Sequence, residues 1–591
     1  MFSLIKKQIF TAFIFTAFFL FSFKIVAQNN SFAVNNSKMT QFLRQIDDLY
    51  IDTVNFDKLV ENGIVEILKE LDPHSIYIPK KDVQQMNEPL QGSFDGIGVT
   101  FQLIKDTINI TEVIVNGPSE KVGLLAGDKI IKVDSLDATG KKINNKWVQT
   151  HLRGKKGTKV VVLVKRGKNK TPLEFTIIRD KIPMNSINVA FMVDSVTGYI
   201  RLERFAQTSP REFREAIGKL KSEGLKNLIF DLRGNGGGYL DAAFKISDEF
   251  IKKDLMIVYT DNFRKTGQSF RATEVGNFEN GKLIILVDEG SASASEIVSG
   301  AVQDWDRGII MGRRTFGKGL VQKPIYLLDQ SMIRLTISNY YTPTGRCIQK
   351  PYNDGLNNYF RELQNRQKHG EFLNADSISF PDSLKYTTPR GRIVYGGGGI
   401  MPDIFVPIDT SKYSSFFNEM IRKGAFGEFT MEYMEKHRDE LKKEYPTFID
   451  YKNNFNISDK MYDEFMTFVK GKGIADTVAF NFAKKVETFG RTEKKKLDSL
   501  FTTLETFERK KEQFEELLTD YLKTSYEEAI KLRNLSKVPE FTKEYLKFEI
   551  GRTLYSYGQA YEIFLLSDDT FLQAYKAIKD DSLFKKYNVD L

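Results

Sequence analysis

The amino-acid sequence predicts a multidomain α/β protein with an N-terminal helical domain and a C-terminal all-helical extension. The chain has 591 residues, which is too long for a single hydrophobic core. Apolar strands alternate with helices over residues 182–408, a pattern typical of a sheet covered by helices on both faces. Residues 409–591 are rich in Lys, Glu, Phe and Leu at helical spacing, and residues 493–535 predict long amphipathic helices.

The first 27 residues predict a signal peptide. Lys6 and Lys7 precede an apolar run over residues 9–23, and Ala27 supplies a small residue before a polar segment. This order is typical of secretory signals that are cleaved after the small residue. The alternative is an uncleaved membrane anchor, although the run is shorter than the roughly 20 residues that span a bilayer. We expect an exported protein of the periplasm or cell envelope with residues 1–27 removed.

Two further domains are predicted before the α/β region. Residues 37–90 have apolar side chains at helical spacing and end in the turn phrase Leu71-Asp-Pro-His-Ser75. Residues 91–181 consist of short β-type runs between glycine turns, with one helix near residues 147–152. We therefore predict domains at 37–90, 91–181, 182–408 and 409–591.

Composition excludes several classes of protein. The net charge of +9 is spread thinly, without a long Lys/Arg block or a nucleic-acid-binding motif, so we expect no nucleic-acid partner. A single cysteine, Cys347, rules out an intramolecular disulfide framework. One Cys and four His also limit structural zinc chemistry.

Two glycine-rich joints follow buried strands of the α/β region. The first, residues 231–238, ends in three glycines, which let backbone N–H groups converge on an anion. It lacks the phosphate-loop and dinucleotide motifs, and by itself it predicts a tight turn or an oxyanion hole equally well. The second, residues 290–296, permits a sharp elbow that presents the Ser293 hydroxyl at a helix N-terminus. Helix capping by Ser293 is the alternative.

A nucleophilic serine needs a base, and no histidine lies between residues 182 and 347. Lysine can serve if burial keeps its amine neutral. Lys318 stands between two glycines beside apolar residues, and Gln322 follows four positions later, where it could hold the amine in line. The alternative is an ordinary exposed lysine in a glycine loop.

Together these phrases resemble the tail-specific, carboxyl-terminal processing serine peptidase family. Eight sequence motifs match the family and occur in the family's order, at residues 71–77, 96–99, 117–128, 231–238, 291–296, 317–322, 341–345 and 399–403. The resemblance implies a crotonase-like peptidase core over residues 182–408, with an inserted PDZ domain over residues 91–181. It also implies hydrolysis through an acyl-enzyme without a metal, nucleotide or other cofactor.

The resemblance implies a role for each site residue. Ser293 corresponds to the nucleophile, Lys318 to the general base 25 positions later, and Gln322 to the partner that orients the base. The oxyanion hole would combine the backbone N–H of Ala294 with that of one of two glycines, Gly237 or Gly238. Glu296 is expected to be structural.

The PDZ resemblance implies recognition of substrate tails. Gly96, Ile97, Gly98 and Val99 stand where the family has its carboxylate-binding loop, and the helix at residues 147–152 would form the other wall of the groove. PDZ domains add an extended peptide to a sheet edge and capture its terminal carboxylate with backbone N–H groups. We expect unfolded or tail-exposed proteins with apolar C-termini as substrates, and a PDZ domain that also gates the catalytic site.

The chain departs from the family pattern in two places. Cys347 replaces the small polar residue that is usual there, and the helical extension exceeds the family's minimum length. The extension is interpreted as a solvated packing domain, or as a surface for a homodimer or an adaptor protein. Three rival functions remain: a catalytically silent PDZ scaffold, an acyl-CoA enzyme on the same fold, and a cysteine peptidase that uses Cys347.

Overall fold

The computed structural model describes residues 31–167, 171–273, 275–410, 412–474 and 538–589. The predicted signal peptide (residues 1–27) and the predicted long helices at residues 493–535 lie outside these ranges. Within them, no helix combines the length and hydropathy that a bilayer span requires. The chain forms two units, one of Met1–Lys80 with Pro324–Leu335 and one of Lys81–Lys323 with Thr336–Leu591.

The first unit is small and mainly helical. Its elements are a helix over residues 31–49, the helix Phe56–Lys69 and the strand Ile76–Ile78, which pairs antiparallel with residues 332–334. The Asn55 side chain caps the second helix by accepting a hydrogen bond from the N–H of Lys58. Tyr77 Oη donates to Glu61 Oε1 at 2.8 Å, so the strand is anchored to this helix.

The second unit starts at Lys81, within the helix Lys80–Gln91, and continues with a β module, which we define as residues 93–183. Its antiparallel sheet has the strand order Val99–Ile104, Thr107–Val113, Lys129–Val133, Lys159–Lys165 and Leu173–Ile178, with Leu136–Asp137 paired to Lys129–Val133. The strands Ser93–Gly96 and Asp180–Pro183 pair at its base, and its helices are Pro118–Lys121 and Asn145–Leu152. Alternate residues such as Ile108, Ile110 and Ile130 are fully buried, so one face of the sheet forms the core of the module.

The centre of the second unit is a mostly parallel sheet of six strands. In spatial order these are Val189–Met192, Thr197–Arg201, Asn227–Asp231, Leu283–Val287, Ile309–Gly312 and Ile404–Phe405. Only the first pair is antiparallel. Every residue of Leu283–Val287 is buried, as expected for a parallel strand covered on both faces.

The two faces of this sheet belong to different hydrophobic cores. Leu283, Ile285 and Val287 pack with the helices Ser209–Ser222, Leu240–Asp248 and Ala294–Asp304. The alternate residues Ile284 and Leu286 pack with Phe548, Tyr561, Phe571 and Phe584 of the C-terminal helices. These helices are Val538–Leu554, Tyr557–Leu565, Asp569–Ala577 and Asp581–Lys586. Part of the extension is therefore the second helical layer of the α/β region.

The remaining described elements belong to neither the central sheet nor the β module. The strands are Met256–Asp261, Ser269–Arg271, Leu320–Tyr326, Met332–Tyr341, Lys385–Thr387 and Ile393–Tyr395. The helices are Leu356–Lys368, the 3₁₀ turns Ala375–Ser377 and Asp382–Leu384, and the group Ser415–Arg422, Ala425–Glu444, Phe448–Asn454 and Asp459–Gly471. That last group forms an aromatic-rich core with the Val538–Leu554 helix, centred on Phe417, Phe426, Phe465 and Phe541.

The Ala425–Glu444 helix also contacts the β module. Lys105 Nζ lies 2.7 Å from Glu432 Oε1, and Lys129 Nζ lies 2.9 Å from Glu435 Oε2. A cavity of about 700 Å³ lies between the two elements. Since the paired groups are partly exposed, each ion pair contributes about 0.2–1 kcal/mol and weakens with salt.

We predict that replacing Glu432 and Glu435 together by Gln loosens this contact without unfolding either element. Hydrogen exchange should accelerate in residues 99–133 and 425–444, and about 0.5 M salt should produce the same change in the wild type. Glu215→Gln, which removes an exposed carboxylate elsewhere, is the matched control. Unchanged exchange in the double variant would show that the ion pairs do not hold the module.

Candidate active site

Ser293 lies at the tip of the elbow between the Leu283–Val287 strand and the Ala294–Asp304 helix. Its backbone has φ 55° and ψ −110°, a sparsely populated conformation that costs a non-glycine residue about 1–3 kcal/mol. Hydrogen bonds to the first glycine-rich joint hold the elbow. Ala292 N donates to Asn235 O at 3.0 Å, and Ser295 Oγ donates to the same oxygen at 2.8 Å. The strained serine is therefore fixed from both sides.

Gly237 packs directly against this elbow. A Cβ on Gly237 would lie 2.9 Å from Ser293 Cβ and 3.0 Å from Ala294 N, and its φ is +98°. A Cβ on Gly238 would lie 2.1 Å from Phe205 O. Both positions therefore require glycine, because backbone atoms occupy the space of a side chain.

The backbone N–H groups around Ser293 differ in whether they already donate a hydrogen bond within the protein. Gly237 N donates to Asn235 Oδ1 at 2.9 Å. Within the part of the chain that the structure describes, the N–H groups of Gly238 and Ala294 donate no hydrogen bond. Two backbone donors at the candidate site thus remain available to a ligand.

Glu296 joins the elbow to the loop that carries Lys318. Its carboxylate is fully buried. Oε2 accepts from Ser293 N at 2.7 Å and Lys318 N at 2.9 Å, while Oε1 accepts from Thr315 Oγ1 and Gly317 N, each at 2.6 Å. Burial raises its pKa from the ordinary 4.5 to about 7, although the four hydrogen bonds oppose this shift. The sequence analysis expected a structural role for Glu296 but did not predict these partners. Its place three residues after Ser293, the spacing of a capping box, was the available signal for one of them.

Lys318 and Gln322 are in direct contact. Lys318 Nζ donates to Gln322 Oε1 at 2.9 Å, and both side chains are half-buried. Gln322 lies on the Leu320–Tyr326 strand. The buried Tyr340 hydroxyl lies 2.7 Å from Lys318 O and 3.0 Å from Ser293 O. The backbones at Ser293 and Lys318 therefore share two partners, Glu296 and Tyr340.

The C-terminal helices hold the first glycine-rich joint. Arg233 donates to the fully buried Asp231 carboxylate at 2.6 Å and to Asp568 Oδ1 at 2.9 Å. Burial alone would raise the pKa of Asp231, but the charges of Arg233 and Arg201 outweigh it and hold this pKa below its usual range. Asp568 caps the Asp569–Ala577 helix, so the extension fixes the strand end that leads into the joint.

The four residues predicted for carboxylate binding lie in the β module. Gly96 ends the Ser93–Gly96 strand, and Val99 begins the Val99–Ile104 strand at the edge of the sheet. Ile97 is buried, and its carbonyl oxygen accepts from Ser119 Oγ at 2.6 Å. Gly98 has φ +76°. Hydrogen bonds to its carbonyl groups thus fix the loop beside an edge strand.

Cys347 is a poor candidate for a nucleophile. Burial raises the pKa of its thiol, whereas reactive cysteines have a lowered pKa. This environment argues against the cysteine peptidase hypothesis.

The buried Glu296 carboxyl predicts a pH-dependent stability. Because its pKa is raised in the folded protein, its contribution is full below about pH 4.5 and is lost as the pH rises through about 7. The free energy of unfolding of the wild type, relative to Glu296→Gln, should therefore fall by roughly 2 kcal/mol between pH 5 and pH 8. Chemical denaturation at both pH values measures this, with the exposed Glu215→Gln as the control. A difference that is constant with pH would contradict the raised pKa.

Comparisons with known proteins match this arrangement. Residues 196–356 match the family model for peptidase family S41, residues 96–177 match a PDZ domain, and residues 416–487 match a family of unknown function. These matches confirm the predicted resemblance and fold class, an α/β peptidase core and a PDZ domain with additional helical regions.

Two relatives and one solved structure illustrate the similarity. A carboxy-terminal-processing protease of Bartonella bacilliformis is 33% identical over 359 residues, which cover 58% of this chain and 81% of the relative. A probable CtpA-like serine protease of Staphylococcus aureus is 33% identical over 56% of this chain and 66% of the relative. The structure of a photosystem II D1 C-terminal processing protease is 23% identical over 62% of this chain and 86% of its own, with a TM-score of 0.33. The chain therefore belongs to peptidase family S41, as a carboxy-terminal-processing serine peptidase with a PDZ domain.

Proposed function

We propose that the chain hydrolyses peptide bonds through an acyl-enzyme with a Ser293–Lys318 dyad, near the C-termini of protein substrates that its PDZ domain recruits. The observation that carries the proposal is the buried Glu296 carboxylate, since one of its oxygens binds the N–H groups of both Ser293 and Lys318. The contact between Lys318 and Gln322 supports the role of Gln322 as the partner of the base.

In this mechanism Lys318 reacts as the neutral amine. Its Nζ accepts the Ser293 hydroxyl proton while Oγ attacks the scissile carbonyl carbon. The ammonium then gives the proton to the leaving amine, and water hydrolyses the acyl ester with the amine again as base. Gln322 Oε1 accepts a hydrogen bond from Nζ and thereby orients the lone pair of the nitrogen.

The oxyanion is stabilised by the N–H groups of Ala294 and Gly238. This choice between the two glycines rests on their hydrogen bonds, because Asn235 Oδ1 already accepts from Gly237 N. Backbone donors fixed in advance stabilise the developing charge without reorganisation. The close approach of Gly237 to the elbow serves to hold the two joints together.

Substrate tails are proposed to bind along the Val99–Ile104 strand. This strand lies at the edge of its sheet, where an extended peptide can add as a further strand. The loop of Gly96, Ile97, Gly98 and Val99 would capture the terminal carboxylate, and the Asn145–Leu152 helix would line the groove. Apolar C-terminal residues are the expected preference.

We further propose that the protein acts in the periplasm or cell envelope after export by the segment 1–27, with the uncleaved anchor as the alternative. A homodimer or an adaptor protein would use the outward surface of the extension, because its inner surface packs on the central sheet. A catalytically silent scaffold is the second candidate function, and the bridge through Glu296 and the Lys318–Gln322 contact favour catalysis over it.

The proposal predicts that Ser293→Ala and Lys318→Ala each lower kcat for cleavage of an unfolded protein by at least about 10³-fold. The folding of both variants should be unchanged, as measured by circular dichroism. Purified residues 28–591 are the enzyme, and Lys323→Ala is the matched control because Lys323 is an exposed lysine on the Leu320–Tyr326 strand that follows Lys318. Wild-type activity in Lys318→Ala would contradict the dyad.

The same assay tests tail recognition. A substrate with an amidated C-terminus should show a KM at least about tenfold higher than its free-acid form, because the carboxylate can no longer bind the loop. Equal KM values would remove tail recognition from the proposal while leaving the dyad intact.

A further inference from the structure

A second candidate site lies beside the two glycine-rich joints. It is a cavity of about 490 Å³ between the carboxyl ends of the central strands and the C-terminal helices. Gly234 and Asp288 line it; Gly234 belongs to the first joint, which continues to Gly237, and Asp288 lies two residues before the second joint, which continues to Ser293. The volume lies within the range of small-molecule sites, and the carboxyl ends of parallel strands are a usual place for ligands.

One wall of the cavity is aromatic. Six rings of the extension line the cavity, namely Tyr413, Tyr545, Phe548, Tyr557, Tyr561 and Phe564. The ring of Tyr561 also faces the Arg201 guanidinium, whose carbon lies 5.2 Å from the ring centroid. This wall offers apolar surface to a ligand, and its tyrosines add hydroxyl groups.

Arg201 also lines the cavity, in contact with Tyr561 of the aromatic wall, and its hydrogen-bonding groups are only partly used. Nη1 donates to Tyr561 Oη at 2.9 Å, Nη2 reaches Arg233 O only at 3.4 Å, and buried Nε has no hydrogen-bond partner. Its ion pair with Asp231 is long, at 3.5 Å, and Arg233 binds the same carboxylate at 2.6 Å. The two Nη groups of Arg201 therefore keep donor capacity for an anion in the cavity, and a charge-assisted pair with a carboxylate would use it.

The other charged groups of the cavity are paired with each other or with neighbours. Arg233 binds Asp568, Arg313 binds Glu289, Arg552 binds Glu549, and Lys412 binds Asp569 with Asp409 nearby. Asp288 accepts from the N–H groups of Gly234 and Gly290 at 2.8 and 2.9 Å. Arg201 is therefore the cation of this cavity with the longest ion pair, 3.5 Å against 3.1 Å or less for the others.

We propose that this cavity binds a small carboxylate with an apolar or aromatic side group, such as the C-terminal residue of a short peptide. The carboxylate pairs with Arg201, and the side group packs on the aromatic wall. A free aromatic acid offers the same chemistry. Binding does not depend on the proposed dyad.

The ligand would act on the active site through the joints. It would contact Gly234, Asp288 and the helices that hold Arg233, and these groups set the position of Gly237 against Ser293. A ligand that binds the assembled arrangement better than a loosened one shifts the population toward it. We therefore expect occupancy to raise kcat, a consequence that rests on the proposed function.

Binding is tested with residues 28–591 carrying Ser293→Ala, so that no turnover occurs. N-acetylphenylalanine is titrated by calorimetry, with N-acetylphenylalanine amide as its matched control. The acid should bind at least about tenfold more tightly than the amide. Arg201→Gln should abolish this difference, and Arg552→Gln, on the same cavity, should retain it. Equal binding of acid and amide, or no binding of either, would overturn the proposal.

Hydrogen exchange locates the ligand without a cavity variant, which matters if Arg201→Gln does not fold. The acid should protect residues 231–238 and 557–570, whereas protection only at residues 96–104 would assign it to the PDZ domain and overturn the cavity site. A tetrapeptide ending in phenylalanine distinguishes the two candidate ligands, the C-terminal residue of a peptide and a free aromatic acid. Tighter binding than the single residue indicates peptide tails, and weaker binding indicates free aromatic acids.

Activity tests the coupling separately. The wild-type enzyme should cleave an unfolded protein at least about twofold faster when the cavity is saturated, and Arg201→Gln should not respond. Unchanged activity with intact binding would overturn the effector role. Absence of cleavage both with and without the acid would instead count against the proposed function.

Discussion

The buried carboxylate of Glu296 is the constraint on which the candidate active site depends. Its two oxygens accept four hydrogen bonds from both chain segments of the site, and one oxygen binds the backbones of Ser293 and Lys318 together. An unpaired carboxylate would be very costly in this interior. The four donors therefore must stay in place for the charge to remain buried, and this requirement couples the strained elbow to the lysine loop.

The C-terminal extension is joined to that arrangement. Its helices cover one face of the central sheet, and Asp568 binds Arg233 at the start of the first glycine-rich joint. The peptidase core of this chain is consequently built from segments more than 300 residues apart in sequence. The extension thus positions the first glycine-rich joint and also presents an outward surface. The cavity lined by Arg201 and the aromatic side chains of the extension lies against the same joint.

Much of this organisation follows from local sequence patterns. The fully apolar strand Leu283–Val287 predicts a sheet covered on both faces, and the small residues after it predict the elbow at Ser293. Which helices cover each face could not be predicted, because apolar periodicity shows that a face is buried without naming its partner. The Glu296 bridge and the Arg233–Asp568 pair were missed for a related reason, since a carboxylate's partners depend on tertiary contacts. The roles of Ser293, Lys318 and Gln322 remain predictions.

Labelling of Ser293 by a fluorophosphonate tests the central claim most directly, because it reports the reactivity of the hydroxyl without a substrate or the PDZ domain. We expect the wild type to be labelled at Ser293, Glu296→Gln to be labelled at least about tenfold more slowly, and Lys318→Ala not to be labelled. Mass spectrometry of the labelled peptide gives the site and the rate. Labelling of Glu296→Gln at the wild-type rate, or a label at another residue, would contradict the account.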